Sequence, residues 1–320
     1  MASMTPFASI VIPTYNRAAL LGRAIQSALA QTVQDVEVIV VDDGSADGTS
    51  AAVSAFKDSR IKYLRHPHNL GAAAAVNTGI EAAQGSYVGL LDSDDAVRQN
   101  WIERLGSIME SDLQVGIAWG WKGIHDETGR LRSVAFVDPF RRQGIRTLLP
   151  LMLTWTPGAG GMLVRRDVFN IIGLFDPELS NLADVDFGVR FALAGRWGVS
   201  VVQEVLYDGY FCGEHISSGL HAGYLRSLEA YVIKYDSVFS RYPAAKAYWM
   251  YRLARLHFDA GNCLRARECL IAAVRARPGW MKPWAWDMAR RCRLLGIWRA
   301  IGAWRIRRQE EQRLRAYLQP

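Results

Sequence analysis

Apolar runs and helical stripes alternate along the first hundred residues. ASIVI (8–12) is a β-rich run that ends in the polar stretch PTYNR. From Arg17 to Gln31 the apolar positions Leu20, Leu21, Ala24, Ile25, Ala28 and Leu29 recur at helical spacing. Val36–Val41 is a second strand, stopped by Asp-Asp-Gly. Thr49–Phe56 suits a short helix and Ile61–Leu64 a third strand. Gly71–Ala83 is an alanine-rich helix with small residues on every side, which calls for close packing, and Tyr87–Leu91 is the next strand. Strands that read as unbroken apolar runs and alternate with helices predict an α/β fold, with a mostly parallel sheet covered on both faces. In such sheets ligands bind beyond the carboxyl ends of the strands. That rule brings Thr14-Tyr15-Asn16, Asp42-Asp43-Gly44-Ser45 and Asp92-Ser93-Asp94-Asp95 to one rim.

The pattern then loosens. A helix is expected over Trp101–Met109, and strands over Val115–Lys122 and Leu131–Phe136 flank a turn at Asp126–Gly129. TPGAGG (156–161) reads as a glycine-rich loop, followed by a strand at Met162–Val164 and a helix from Asp167. Asp184–Ala194 is a further helix, Trp197–Val202 a strand, and Gly209–Gly219 a loop. Beyond about residue 220 the pattern is helical throughout, which predicts two regions, 1–220 and 221–320. Met250, Leu253, Ala254, His257, Gly261, Ala266, Leu270, Ala273 and Pro278 have the spacing of one tetratricopeptide repeat, and a plain helical hairpin fits equally well.

Charge changes the picture only at the C-terminal end. The formal net charge is +7, but from Arg277 onward eleven Lys/Arg face three acids, so the basic character belongs to the tail. The main region is near neutral and offers no argument for nucleic-acid binding. The tail interleaves Trp280, Trp284, Trp286, Trp298 and Trp304 with its basic residues. Two readings stand: a peripheral contact with anionic lipid, or an Arg-rich helix whose Trp residues pack inward. Cys212, Cys263, Cys269 and Cys292 form no CxxC pair, which suits reduced thiols. No apolar run reaches spanning length and no secretory signal precedes the first strand, so a cytoplasmic location is expected, with a place on the inner membrane face as its variant.

The chemistry concentrates in GLLDSDDAV (89–97), where Asp92, Asp94 and Asp95 crowd the tip of a strand. Like charges about 5 Å apart repel by on the order of 3 kcal/mol at an effective dielectric near 20. Either these residues cap a helix and face water, or something positive sits among them. Asp95 in particular reads equally well as a helix cap. Neither GxGxxG nor GxxxxGK[ST] follows the first strand, so no dinucleotide or P-loop fingerprint is present.

In order, SIVIPTYNR (9–17), SALAQT (27–32), EVIVVDDGSADGT (37–49), HNLGAAAAVNTGI (68–80), AAQGSYVGLLDSDD (82–95), GMLVRRDVFNIIGLFD (161–176) and ADVDFGVRFALAG (183–195) resemble the family 2 glycosyltransferases. The resemblance runs from residue 8 to about 215. It implies the GT-A fold and transfer, with inversion, of a sugar from a nucleotide donor, with a divalent cation (Mn²⁺ or Mg²⁺) on the diphosphate. Asp92-Ser93-Asp94 matches the family's DxD, with Asp94 as the expected metal ligand and Asp92 near the ribose or the metal. Asp42 and Asp43 match a pair of which one carboxylate accepts from the nucleobase. Pro13, Thr14 and Tyr15 match the first nucleotide-contacting loop, and Asn69, Gly71 and Asn77 a donor-side helix in which Val76 replaces a frequent Arg. Asp184 matches the family's general base, preceded by Ala183 where Glu is usual. Asp186 is its rival, and a helix cap is the plain alternative for Asp184. His215 falls where such enzymes place a late His near metal or diphosphate, and Arg190 matches a helix position that an ion pair would also explain. The implied partners are a UDP-linked donor and a glycan or lipid-linked acceptor.

Two other classes are weighed. A nucleotidyltransferase calls for an early basic glycine-rich loop, and AALLGRAIQ is not one. A non-catalytic GT-A module that binds a glycan or a partner would bind donor without turnover.

Overall fold

The computed structural model describes residues 5–137, 145–154, 156–179, 181–210 and 222–291. The chain divides into two compact units, residues 1–215 and 216–320.

The first unit is a nine-stranded sheet with helices. Its elements are β1 (Ala8–Thr14), α1 (Ala18–Leu29), β2 (Val36–Asp42), α2 (Thr49–Ser54), β3 (Ile61–Arg65), α3 (Ala72–Ala82), β4 (Tyr87–Leu90), β5 (Ala96–Val97), α4 (Trp101–Ser111), β6 (Val115–His125), β7 (Leu131–Ala135), α5 (Ile145–Met152), β8 (Leu163–Arg165), α6 (Arg166–Ile172), α7 (Ala183–Ala194) and β9 (Gly198–Tyr210). The sheet order is β3-β2-β1-β4-β8-β6-β9-β5, with β7 on β6. β3, β2, β1 and β4 are parallel, as the alternation predicts. The second half is mixed: β8 runs antiparallel to β4 and β6, whereas β6 and β9 are parallel.

β1, β2 and β4 are buried almost throughout, because helices cover both faces. The α1 stripe buries Leu21, Ala24, Ile25 and Ala28 against Ile10, Ile12, Val38 and Val40. A Cβ added at Gly79 of α3 would strike Val11 of β1, so the small residues of that helix let it lie close on the sheet. Trp101, fully buried, fills the space over Gly89.

Three elements depart from the sequence reading. β5 and α5 were not expected. β9 continues through Gly209 and Tyr210, positions read as loop, because its partner β6 runs on to His125 and pairs with it to the end.

The second unit contains α8 (Ala222–Lys234), α9 (Asp236–Phe239), α10 (Pro243–Asp259), α11 (Cys263–Ala276) and α12 (Met281–Arg291). α10 and α11 form a hairpin turned at Gly261, and Trp286 of α12 packs on Tyr251 and Phe258. This geometry is common to a repeat unit and to a plain hairpin. Among the described residues no helix is long and apolar enough to cross a membrane. The basic residues and tryptophans beyond 291 lie outside the described residues.

Candidate active site

Strand register builds the rim. Thr14 pairs with Asp42, and Asp42 with Arg65, so the carboxyl ends of β1, β2 and β3 stand side by side. Val11 pairs with Leu90, which brings the loop after β4 next to the end of β1. Asn16 stitches the first two loops: its N–H donates to Ser45 Oγ, and its Oδ1 accepts from the Ala46 N–H, each at 2.9 Å. At the tip of β1, Tyr15 is exposed, and the Thr14 hydroxyl is buried with no protein partner.

Each acid of the crowded strand tip has its own partner. Asp92 accepts from the Tyr207 hydroxyl at 3.0 Å. Asp94 pairs with Arg17, and its carbonyl accepts from Arg23. Asp95 pairs with Lys122 Nζ at 3.0 Å and accepts from the Tyr210 N–H at 3.0 Å. Something positive therefore does sit among the carboxylates: two arginines and a lysine. Asp95 is not a helix cap. It is 4% exposed and ties the loop after β4 to the end of β9, and Asn100 occupies the N-cap of α4. Ser93, between the two candidate ligands, is buried.

Asp92 is exposed as a residue, but protein packed around its carboxyl desolvates it, and that desolvation, and next the Asp95 charge, push the carboxyl above the usual range. Burial and the same two acids push the Tyr207 phenol well above its ordinary value, so it stays protonated and donates.

The glycine loop links this cluster to α7. Gly158 and Gly161 have φ of 85° and 84°, a region that favours glycine. The loop is pinned by two indoles, Trp119 to the Gly158 carbonyl at 3.3 Å and Trp101 to that of Gly161 at 3.1 Å. A Cβ at Gly160 would lie 2.5 Å from Asp92 Oδ2, and one at Gly158 would lie 4.0 Å from Asp184 Oδ2. Asp92 and Asp184 thus flank one short loop.

Asp184 lies in the first turn of α7, but Leu182 is the N-cap residue. Its Oδ1 accepts from the Val185 N–H at 2.8 Å, and Thr156 Oγ1 stands 3.5 Å from Oδ2. Burial raises its carboxyl above the usual range, which makes it a better proton acceptor than a free aspartate. Asp186 is fully buried and paired with Arg190 Nε at 2.7 Å, and Arg190 also donates to the Leu174 carbonyl at 2.7 Å. That pair ties α7 to the segment after α6, so Asp186 is no rival to Asp184.

Other expected site residues are engaged within the protein. Asp43 accepts from the Leu70 and Gly71 N–H groups, each at 2.8 Å, and from His66 Nδ1 at 2.7 Å. Asp42 accepts from the Ser45 N–H at 2.8 Å and from the Tyr63 hydroxyl. One of these two aspartates was expected to accept from a nucleobase. Both are at most 2% exposed, and the donors they accept from are the chain's own. Asn77 was expected to line the donor side, yet its amide spans Phe175, accepting at 2.9 Å and donating at 2.8 Å. Gly71 opens α3 with its N–H on Asp43, and Asn69 is exposed beside it. Pro13 is half-buried at the end of β1. His215 lies outside the described residues.

Comparison with known proteins decides the family. The model of glycosyl transferase family 2 matches residues 9–172. The chain belongs to that family. The glycosyltransferase GlyG of Streptococcus pneumoniae is 40% identical over 117 residues, which cover 36% of this chain and 39% of that protein. The succinoglycan biosynthesis protein ExoO of Rhizobium meliloti is 46% identical over 100 residues, 31% of this chain and 29% of that protein. The chain thus matches well under two thirds of the length of either relative.

Among solved structures, S. aureus TarS 1–349 in complex with UDP-GlcNAc superposes with a TM-score of 0.61 at 17% identity. That match covers 84% of this chain and 81% of TarS. The mannosyltransferase PcManGT from Pyrobaculum calidifontis, with GDP-Man and Mn²⁺, gives 0.58 at 19% identity, over 96% and 83%. These likenesses support the GT-A fold.

Sequence reasoning missed Tyr207, Lys122, Arg17 and Arg23, and each for a reason. Tyr207 and Lys122 come from β9 and β6, which approach the DSDD loop only through the mixed half of the sheet. Arg17 and Arg23 were visible in PTYNR and on the α1 stripe, but nothing in the spacing joins them to a carboxylate some seventy residues on.

Proposed function

We propose that this family 2 chain is a metal-dependent inverting glycosyltransferase. It moves a hexose or N-acetylhexosamine from a nucleotide-sugar, UDP-linked, to a glycan or lipid-linked acceptor. The observation that carries the reading is the glycine loop, with Asp92 at one end and Asp184 at the other. An in-line displacement needs its base and its leaving group on opposite faces of the sugar. Two carboxylates set against separate glycines of one loop, which carries nothing larger than the Ala159 methyl between them, leave room for a sugar ring.

The donor set suits a hard cation. Asp92 and Asp94 are oxygen ligands beside one another. Among the described residues no group of three or more His, Cys, Asp or Glu could hold an ion alone. Mg²⁺-type sites take one or two carboxylates and fill the shell with water and substrate phosphates, so two aspartates suffice in number. Bound there, the cation would supply Lewis-acid stabilisation of charge on the departing diphosphate. His215 is a further candidate ligand from the sequence alone. PcManGT, whose structure holds GDP-Man and Mn²⁺, is a neighbour of the same fold.

The chain's own groups do the rest. Tyr207, held protonated, fixes one oxygen of Asp92. The exposed ring of Tyr15 offers a face to the nucleobase. Asp184 takes the proton from the acceptor hydroxyl as its oxygen attacks the anomeric carbon, and Thr156 orients that carboxylate. Between the contacts with Asp184 and Asp92 the loop is Gly158-Ala159-Gly160, so it carries no side chain larger than a methyl there.

Transfer assays on Asp94→Ala and Asp184→Asn test this reading. Both should lose transfer while remaining folded. Asp184→Asn should keep its affinity for nucleotide with Mn²⁺, and Asp94→Ala should lose it. Full activity in either variant removes that residue from its role.

A further inference from the structure

Asp94 does not wait in open water. Its carboxylate is 14% exposed and pairs with the Arg17 guanidinium, which is 24% exposed. Its carbonyl is held by Arg23, whose guanidinium also lies 3.6 Å over the Tyr210 ring. The two arginines differ in freedom. Arg23 is clamped between Asp94 and Tyr210. Arg17 sits at the mouth of the site, in the loop where register sets Thr14 beside Asp42, and Asp94 is its side-chain partner.

We propose that Arg17 is a resident counter-cation that competes with the divalent ion for Asp94. The proposal rests on the metal-dependent reading above. A guanidinium and a dication drawn to the same carboxylate repel each other whichever oxygen each takes, so binding of the ion drives Arg17 off. The freed fork is well matched to a diphosphate. The exchange keeps charge balanced, since Asp94 trades a guanidinium for the metal and Arg17 trades a carboxylate for phosphate. Metal and nucleotide therefore bind cooperatively, and Arg17 carries part of the coupling. By linkage each ligand strengthens the other by the same factor.

Calorimetric titration of MnCl₂ into the full chain, with and without saturating UDP, tests this directly. Arg17→Met should bind Mn²⁺ alone about fivefold more tightly than wild type, equivalent to about 1 kcal/mol. It should also bind UDP more weakly at saturating Mn²⁺, so the coupling between the two shrinks. Damage to the fold cannot tighten metal binding, so the opposed changes separate competition from a structural role. Arg65→Met removes the same charge from the same rim without touching Asp94 and should leave Mn²⁺ affinity unchanged. If Arg17→Met binds Mn²⁺ no tighter than wild type, or if Arg65→Met matches it, the role of Arg17 is wrong. If the wild type binds no Mn²⁺ even with UDP or GDP present, the metal-dependent reading falls and takes this proposal with it.

Discussion

Gly160→Ala adds one methyl group at the junction of the two carboxylates. The backbone does not object, because Gly160 is not among the positive-φ glycines, so the cost is steric. The new Cβ would lie 2.5 Å from Asp92 Oδ2 and 2.7 Å from the Tyr207 hydroxyl, where ordinary contacts exceed 3.4 Å. Asp92 and Tyr207 must part or the loop must shift. Parting breaks a hydrogen bond to a carboxylate, worth about 1.5–3 kcal/mol, and shifting incurs an overpacking cost of about 1–3 kcal/mol. Either way stability falls by about 2 kcal/mol, which for a unit of this size lowers Tm by roughly 4–8 °C. Because Asp92 is displaced, affinity for UDP with Mn²⁺ should fall about tenfold or more, beyond what the loss of stability explains. Gly158→Ala is the control. Its φ of 85° makes alanine strained, yet its Cβ would stand 4.0 Å from Asp184, clear of contact. It should lose stability with little change in nucleotide affinity. Differential scanning fluorimetry and calorimetry read both quantities. If Gly160→Ala keeps wild-type Tm and nucleotide affinity, the reasoning that sets this loop against Asp92 is refuted.

Transfer should fall as pH drops through an apparent pKa above the ordinary aspartate range, because Asp184 must be ionised to act as base and burial raises its pKa. A pH–rate profile of kcat checks this. A raised folded pKa means the native state holds that proton more tightly than the unfolded chain. Its stabilising contribution is present below the unfolded pKa near 4 and lost as pH rises through the folded value. At pH 7 wild type therefore bears a penalty that Asp184→Asn removes, and that variant should melt at or above wild type while losing turnover. Asp186→Asn should behave oppositely, destabilising by about 3 kcal/mol by leaving Arg190 unpaired, with turnover per folded molecule preserved. Asp43→Asn sets an amide against three donors and should destabilise by about 2 kcal/mol, read as a lower denaturant midpoint.

Much of the fold was legible because β1, β2 and β4 are buried on both faces and read as unbroken apolar runs. Their polar ends were legible as a rim by topology, and the register of Thr14 with Asp42 bears this out. The resemblance to family 2 pointed to Asp92, Asp94 and Asp184, and the structure sets Asp92 and Asp184 about one loop. What stayed hidden was the division of labour among carboxylates. Asp42, Asp43, Asp95 and Asp186 look as functional in sequence as Asp92. Only the structure shows each bound by backbone donors, by His66, by Lys122 or by Arg190. Asp43 grips the loop 66–71 from twenty-odd residues away, a contact that no periodicity encodes. Tyr207 was invisible for a similar reason, since β9 meets the DSDD loop only through the mixed half of the sheet, whose strand order no periodicity encodes.

The central claim is that this site breaks a nucleotide-sugar bond with the help of a divalent cation. Incubation of the full chain with a panel of UDP- and GDP-sugars, with Mn²⁺ or with chelator, and quantification of released nucleoside diphosphate tests it most directly. The account predicts release from at least one donor with Mn²⁺, and its loss with chelator. Binding of nucleotide without release across the panel, or release indifferent to chelator, would contradict it.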